Sequence, residues 1–197
     1  MPFIYVLILV CSLFSITANQ DYPLGFGSAQ ELLNEPPSDY TFDIQSVDRI
    51  IRELSPEEAL QDLLKVKTPE TATPNIWPVV GVVSSDYGWR FLAGRREFHT
   101  GIDIAAPYGM PVVSSADGRV IYSGWIRGYG KTVIIYHGYG FVTLYAHLSE
   151  ISVYPPDDIY KGQMIGKIGT TGRSFGPHLH YEVLRYGIRQ NPIPYLP

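Results

Sequence analysis

From Asn75 to Pro197, glycine, proline and aspartate cut the chain every few residues into short runs of β-branched and aromatic side chains. Helix signals almost vanish over this stretch, so its apolar residues can be buried only through strand pairing. The runs Val79–Ser84, Gly101–Ala105, Pro111–Ser115, Gly118–Trp125, Thr132–His137, Phe141–Leu148, Gln163–Ile168 and His180–Arg185 are the expected strands. The clearest pair is Thr132–His137 with Phe141–Leu148, joined by Gly138-Tyr139-Gly140, where glycine supplies the positive φ that a tight hairpin needs. The expectation is an all-β domain built on an antiparallel sheet over residues 75–197. With 45% hydrophobic residues in 197, the chain has enough apolar material for one real core.

The preceding residues are of another kind. Phe3 to Ile16 is an apolar run followed by small and polar residues, and residues 1–18 read as a signal peptide, or as a short anchor. The run is shorter than the roughly 20 apolar residues of a spanning helix, and no Lys or Arg precedes it. Cys11 lies within it behind Val10, where a lipoprotein signal would want a small residue, so lipidation is not expected. Residues 19–74 form an acidic segment with two short helices. Val47, Ile50, Ile51 and Leu54 share one helical face, and Ser55-Pro56-Glu57-Glu58 is a capping box ahead of Ala59, Leu60, Leu63 and Leu64. Thr68 to Pro74, with Pro69 and Pro74, reads as a linker.

Removal of the signal would take away the one cysteine, which excludes disulfides and any thiolate ligand or nucleophile. Chemistry then falls to other side chains, and all five histidines (His99, His137, His147, His178 and His180) lie in the β domain. In His178-Leu179-His180 the two imidazoles stand at i and i+2, hence on one face of a strand. Asp103 sits among Ile102, Ile104, Ala105 and Ala106, a costly place for a carboxylate unless it meets a cation. That cation is either a metal, shared with His99, or one of the nearby arginines, Arg95 or Arg96; otherwise Asp103 caps a turn. The residues between His99 and Asp103 argue against a helix, so His99 is expected in a loop entering the strand of Asp103. Two imidazoles and one carboxylate make a zinc set of the catalytic kind, because three protein ligands leave the fourth tetrahedral position open.

The segments WPVVGVVSSDYGWR (77–90), FHTGIDIAAPYGMPV (98–112), TLYAHLS (143–149) and KGQMIGKIGTTGRSFGPHLHYEV (161–183) closely resemble, in order and spacing, the lysostaphin-like, or LytM-type, zinc peptidases that cut peptidoglycan cross-links. Carried over position by position, the resemblance implies one Zn2+ held by His99, Asp103 and His180, with His147 and His178 as the catalytic histidines. It also implies a sheet forming the floor of a groove walled by loops. Some relatives that lack these residues act only as activators of other cell-wall hydrolases; this chain retains all five, which favours an endopeptidase over the alternative of a non-enzymatic wall-binding module or hydrolase activator with a structural zinc site.

Within Phe141–Leu148, plain alternation puts His147 with Phe141, Thr143 and Tyr145, opposite the aliphatic face of Val142, Leu144, Ala146 and Leu148, where it can face a groove. His137 has no counterpart role and is set aside. Glu182 shares the face of His178 and His180, either as an acceptor orienting an imidazole or as a solvated strand residue. Gly169, Gly172 and Gly176 shape a loop over the groove, for which tight turning suffices.

Charge is split between the two parts. Residues 19–74 carry 11 acids against 4 bases (−7) and residues 75–197 carry 8 against 11 (+3). These are two solvated surfaces, or else a mildly basic domain suited to an anionic substrate such as cell wall. A surplus of three is far from a nucleic-acid binder's footprint. The acidic segment is expected to be a spacer, a partner-binding arm or an inhibitory prosegment, the last by intramolecular docking on the basic domain. The partner implied is peptidoglycan, and the compartment is the periplasm, the envelope or the exterior.

Overall fold

The computed structural model describes residues 68–92 and 94–197. The signal run and the two helices expected between Ser46 and Leu64 lie outside the described residues. The first described element falls in the stretch read as a linker. It is a one-turn helix, α1 (Pro69–Ala72), capped by the Thr68 hydroxyl and begun by proline at its first position. Ala72 is buried, the Asp117 N–H donates to Thr71 O at 3.0 Å, and the Asn75 N–H donates to Ser115 O at 3.1 Å. This stretch is therefore bound to the β domain by backbone hydrogen bonds.

The strands are β1 (Val82–Ser85), β2 (Gly88–Leu92), β3 (Arg95–His99), β4 (Ile102–Ala105), β5 (Pro111–Val113), β6 (Gly118–Ile126), β7 (Gly130–Gly138), β8 (Phe141–Ile151), β9 (Asp158–Ile159), β10 (Met164–Ile168), β11 (His178–Arg185) and β12 (Ile188–Gln190). The main sheet runs β1-β4-β11-β8-β7-β6-β9, with β10 bridging β5 and β8, and β12 edging β11. Every pairing is antiparallel, as the sequence predicts. Strands β2 and β3 form a separate hairpin. The sequence runs do not mark this hairpin, because Gly88–Leu92 and Arg95–His99 are short and mixed in polarity.

Alternation distributes the side chains of the central strands. Ile102 and Ile104 of β4, together with Leu179, Tyr181 and Val183 of β11, join Tyr145, Leu148, Ile165 and Ile168 in the main core. Each large side chain fully withdrawn from water there stabilises the fold by about 1.5–3 kcal/mol. The intervening residues, Asp103, His178, His180 and Glu182, are thereby turned to the opposite face. The register pairs His180 with Asp103 on one side and with Ala146 on the other. The core thus acts as a press that fixes which face of β4 and β11 carries polar chemistry.

On β8 the plain alternation holds only as far as Ala146. Phe141, Tyr145 and Leu148 belong to the main core, whereas Val142, Leu144 and Ala146 belong to a second cluster on the other face. Tyr145 and Leu148 share a face although three residues apart, because β8 bulges between them. Tyr145 is opposite Val133 and Leu148 is opposite Lys131, so Ala146 and His147 together face the single Thr132. His147 absorbs the extra residue at φ 60°, a left-handed conformation uncommon outside glycine, and its N–H donates to Tyr129 O at 2.8 Å. The bulge therefore reverses the expected placement. His147 is delivered to the face of Val142, Leu144 and Ala146, beside His180, instead of into the core with Tyr145.

Candidate metal centre and groove

His99, expected in a loop, instead ends β3, paired with Gly88 of β2. The hairpin brings it over the face where Asp103 and His180 stand. His99 Nε2 lies 3.1 Å from Asp103 Oδ1 and 3.0 Å from His180 Nδ1, and His180 Nδ1 lies 2.9 Å from Asp103 Oδ1. These three residues form the one His/Cys/Asp/Glu group among the described residues suited to holding a metal ion.

The hydrogen bonds around them fix which ring nitrogens are bare. His99 Nδ1–H donates to Asp86 O at 2.8 Å, which leaves Nε2 as a lone pair. His180 Nε2–H donates to Glu182 Oε1 at 3.0 Å, which leaves Nδ1 as a lone pair. Two imidazole lone pairs and a carboxylate oxygen therefore converge on one point, an arrangement that repels itself unless positive charge lies among them. Burial pulls the pKa of His180 down, but its bonds to the Asp103 and Glu182 carboxylates outweigh it and push the ring up to about 9, so that a proton on Nδ1 is one source of that charge and a metal ion the other. Burial likewise opposes ionisation of Asp103, yet its bonds to His180 and His99 hold it well below the usual carboxylate range. A tetrahedral zinc ion with bonds of about 2.0–2.1 Å keeps its ligands about 3.3 Å apart. The donor set and its spacing fit such an ion.

Asp103 Oδ2, the oxygen turned away from the histidines, accepts from Arg90 NH1 at 2.9 Å. Its cation partner is thus neither Arg95 nor Arg96; Arg96 lies instead over the Trp89 ring, 4.5 Å from its centroid. Sequence proximity favoured the wrong arginines because the β2–β3 register, which brings Arg90 opposite Glu97, was not legible. Glu182 is fully buried and accepts from His180, Thr100 Oγ1, Tyr129 OH at 2.7 Å and Arg189 Nε at 2.9 Å. Of its two readings, the orienting acceptor is the one the structure displays. Burial raises its pKa, but the bond to His180 and the charges of His180 and Arg189 bring it down to about 2. Neither Thr100 nor Tyr129 stands out in the sequence, since a threonine or tyrosine in a turn carries no periodic signal.

His147 and His178 complete the cluster, with ring centroids 4.7 Å apart. His178 Nε2 is 3.7 Å from Asp103 Oδ1. His147 Nδ1–H donates to Thr171 O at 2.7 Å and His178 Nδ1–H to Gly176 O at 2.8 Å. In both rings Nε2 is left as the accepting atom. Burial pulls the His147 ring down to about 4, and the nearby His180 adds to the effect. His137 is buried on the opposite side, bonded to Asp117 O and to the Thr143 hydroxyl, and takes no part.

The five residues line a groove of about 600 Å³, walled by the β2–β3 hairpin and by the 169–177 loop. Tight turning does not account for all three loop glycines. A Cβ at Gly169 would lie 2.3 Å from Ser149 N. Gly172 has φ +73°, and a Cβ there would lie 2.4 Å from Gly130 N and 2.7 Å from Gly128 O. Gly176 meets neither condition. Close packing of two backbones is what holds Thr171 O against His147. Gly172→Ala is accordingly expected to destabilise the protein by about 1–3 kcal/mol, read from the urea midpoint; an unchanged midpoint would refute the packing account.

The description "Peptidase family M23" belongs to the family model that matches residues 97–192. Over 122 residues the chain is 47% identical to the DD-carboxypeptidase/endopeptidase Mpg of Neisseria meningitidis serogroup B, covering 60% of this chain and 28% of that protein. Over 122 residues it is 37% identical to the murein hydrolase activator NlpD of Escherichia coli K12, covering 61% of this chain and 31% of that protein. The chain thus spans under a third of the length of these curated relatives. A crystal structure of a mutant catalytic domain of the prophage-encoded M23 protein EnpA from Enterococcus faecalis superposes with a TM-score of 0.55 at 36% identity, covering 63% of this chain and 98% of that one.

Proposed function

Because the chain belongs to peptidase family M23, we propose that it is a catalytically active zinc peptidase that hydrolyses peptide bonds in the stem or cross-bridge peptides of peptidoglycan, exported to the envelope where that substrate lies. The observation that carries this reading is the joint presence, on one groove floor, of three converging ligand atoms and two further imidazoles with bare Nε2 atoms. An activator that merely docks on another hydrolase has no use for the second pair.

In this reading His99, Asp103 and His180 hold the ion. When bound, zinc supplies Lewis acidity at the scissile carbonyl and favours ionisation of water. The chain's own residues do the rest. His147 and His178 offer Nε2 atoms that take a proton from the attacking water as its oxygen bonds to the carbonyl carbon. The protonated imidazole then delivers that proton to the leaving amine as the C–N bond breaks. Arg90 and Glu182 hold Asp103 and His180 in place.

The test is incubation of the zinc-loaded chain with purified sacculi, with mass spectrometry of the released fragments. Soluble fragments bearing new amine and carboxyl ends are expected, with release stopped by a chelator and restored by zinc. Intact sacculi, together with stimulation of an added cell-wall amidase, would favour the activator reading shared with NlpD.

A further inference from the structure

The two walls of the groove are tied together by an ion pair. Arg173 NH2, from the 169–177 loop, meets Glu97 Oε2, from β3, at 3.1 Å. Glu97 has a second cation of its own, since Arg90 reaches its Oε1 through Nε at 3.0 Å and NH2 at 2.9 Å. Arg90 in turn spends NH1 on Asp103 Oδ2 and the Ser85 hydroxyl. Charge thus alternates from the centre to the rim along Asp103, Arg90, Glu97 and Arg173.

Arg90 and Arg173 are the two arginines lining the groove among the described residues. Arg90 is committed on every side, whereas Arg173 ends the row with its side chain 59% exposed. A guanidinium carries five N–H donors in a planar fork matched to a carboxylate, and Glu97 takes up only part of that capacity. The existing pair is also easily exchanged. It is half in solvent and hence weak, and Glu97 stays paired with Arg90 when Arg173 turns away.

We infer that Arg173 binds a free carboxylate of the substrate, so that the groove selects an acidic stem peptide over a neutral glycine bridge. This inference rests on the peptidase reading above and narrows its substrate class. Three successive ion pairs separate Arg173 from Asp103, a distance an extended peptide covers in about four residues. The recognised carboxylate therefore lies within about four residues of the scissile bond. Arg173 is a specificity-determining residue that holds the acid while the histidines act on the amide.

The experiment compares two synthetic stem peptides, identical except that one carries a free carboxylate and the other a carboxamide at the same position. Binding to the zinc-loaded full chain is measured calorimetrically, and cleavage is followed separately. The acid is expected to bind about 2- to 5-fold more tightly, the usual worth of a half-exposed ion pair. In Arg173→Gln that ratio should fall towards one, while Arg173→Lys keeps part of it. The exposed side chain and a backbone N–H bonded to Gly128 O at 2.8 Å make loss of fold an unexpected outcome for either variant. Equal binding of both peptides, binding of neither, or a preference that persists in Arg173→Gln overturns the inference. Arg173-dependent selection without cleavage upholds it, and removes the hydrolytic reading instead.

Discussion

Alanine in place of His99, Asp103 or His180 is expected to empty the chain of zinc, whereas alanine in place of His147 or His178 leaves about one zinc per chain and lowers turnover by roughly 10²–10⁴-fold. The separation follows from which atoms are bare and where they point. His99 Nε2, Asp103 Oδ1 and His180 Nδ1 lie within 3.1 Å of one another, so loss of any one leaves two donors and an incomplete sphere. His147 and His178 keep their Nε2 atoms outside that triangle, with His178 Nε2 at 3.7 Å from Asp103 Oδ1. The two histidines of the HLH sequence are thus neighbours in the chain with different employment. Elemental analysis of desalted protein alongside hydrolysis of sacculi decides the matter. Zinc lost from His178→Ala but kept by His180→Ala would reverse the assignment, and full zinc with full activity in all five variants would move the site elsewhere.

The second large effect is expected at Glu182, which does not itself line the groove but lies behind the residues that do. Glu182→Leu would remove a fully buried carboxylate that faces the Arg189 guanidinium and accepts from His180, Thr100 and Tyr129. Breaking one side of a buried ion pair costs about 3–5 kcal/mol, and freeing an imidazole from its orienting acceptor lowers metal affinity by about 10- to 100-fold. Both a large fall in the urea midpoint and a weakened zinc affinity in competition with a chelating dye are expected. Glu182→Gln, which keeps the shape but not the charge, should fall between the two proteins. A variant that lost stability but bound zinc as tightly as the parent would show that Glu182 serves the fold alone.

What could be read without the structure divides along physical lines. Asp103 between isoleucines and the paired histidines of HLH announce themselves because polar chemistry in an apolar strand demands a partner. Antiparallel pairing of the central strands follows from short runs and glycine turns. The face of His147 did not follow, since alternation is a local rule and the bulge at Ala146–His147 is set by how β8 meets β7. Arg90 escaped for a similar reason, because an arginine in a mixed strand has no periodic signature and its partner is chosen by hairpin register. His99 was legible as a residue but not as the end of a strand. The helices and signal expected before Thr68 fall outside the described residues, and their reading stays where the sequence left it.

Three of the five histidine and aspartate side chains share one more property. His99, His147 and His178 are each aimed by a hydrogen bond to a main-chain carbonyl, of Asp86, Thr171 and Gly176 respectively. A carbonyl is supplied by any amino acid, so the aim of these rings is indifferent to which side chains occupy the three anchoring positions. It depends instead on the path of the chain. Evolution and engineering can therefore rewrite much of the lettering of the loops around the groove, and with it the choice of substrate, without disturbing the reacting groups. A single insertion or deletion within those loops would shift a carbonyl out of reach and turn a ring aside. Apart from Gly169 and Gly172, loop sequence is the adjustable part of this protein, and loop length is the part that has to be inherited intact.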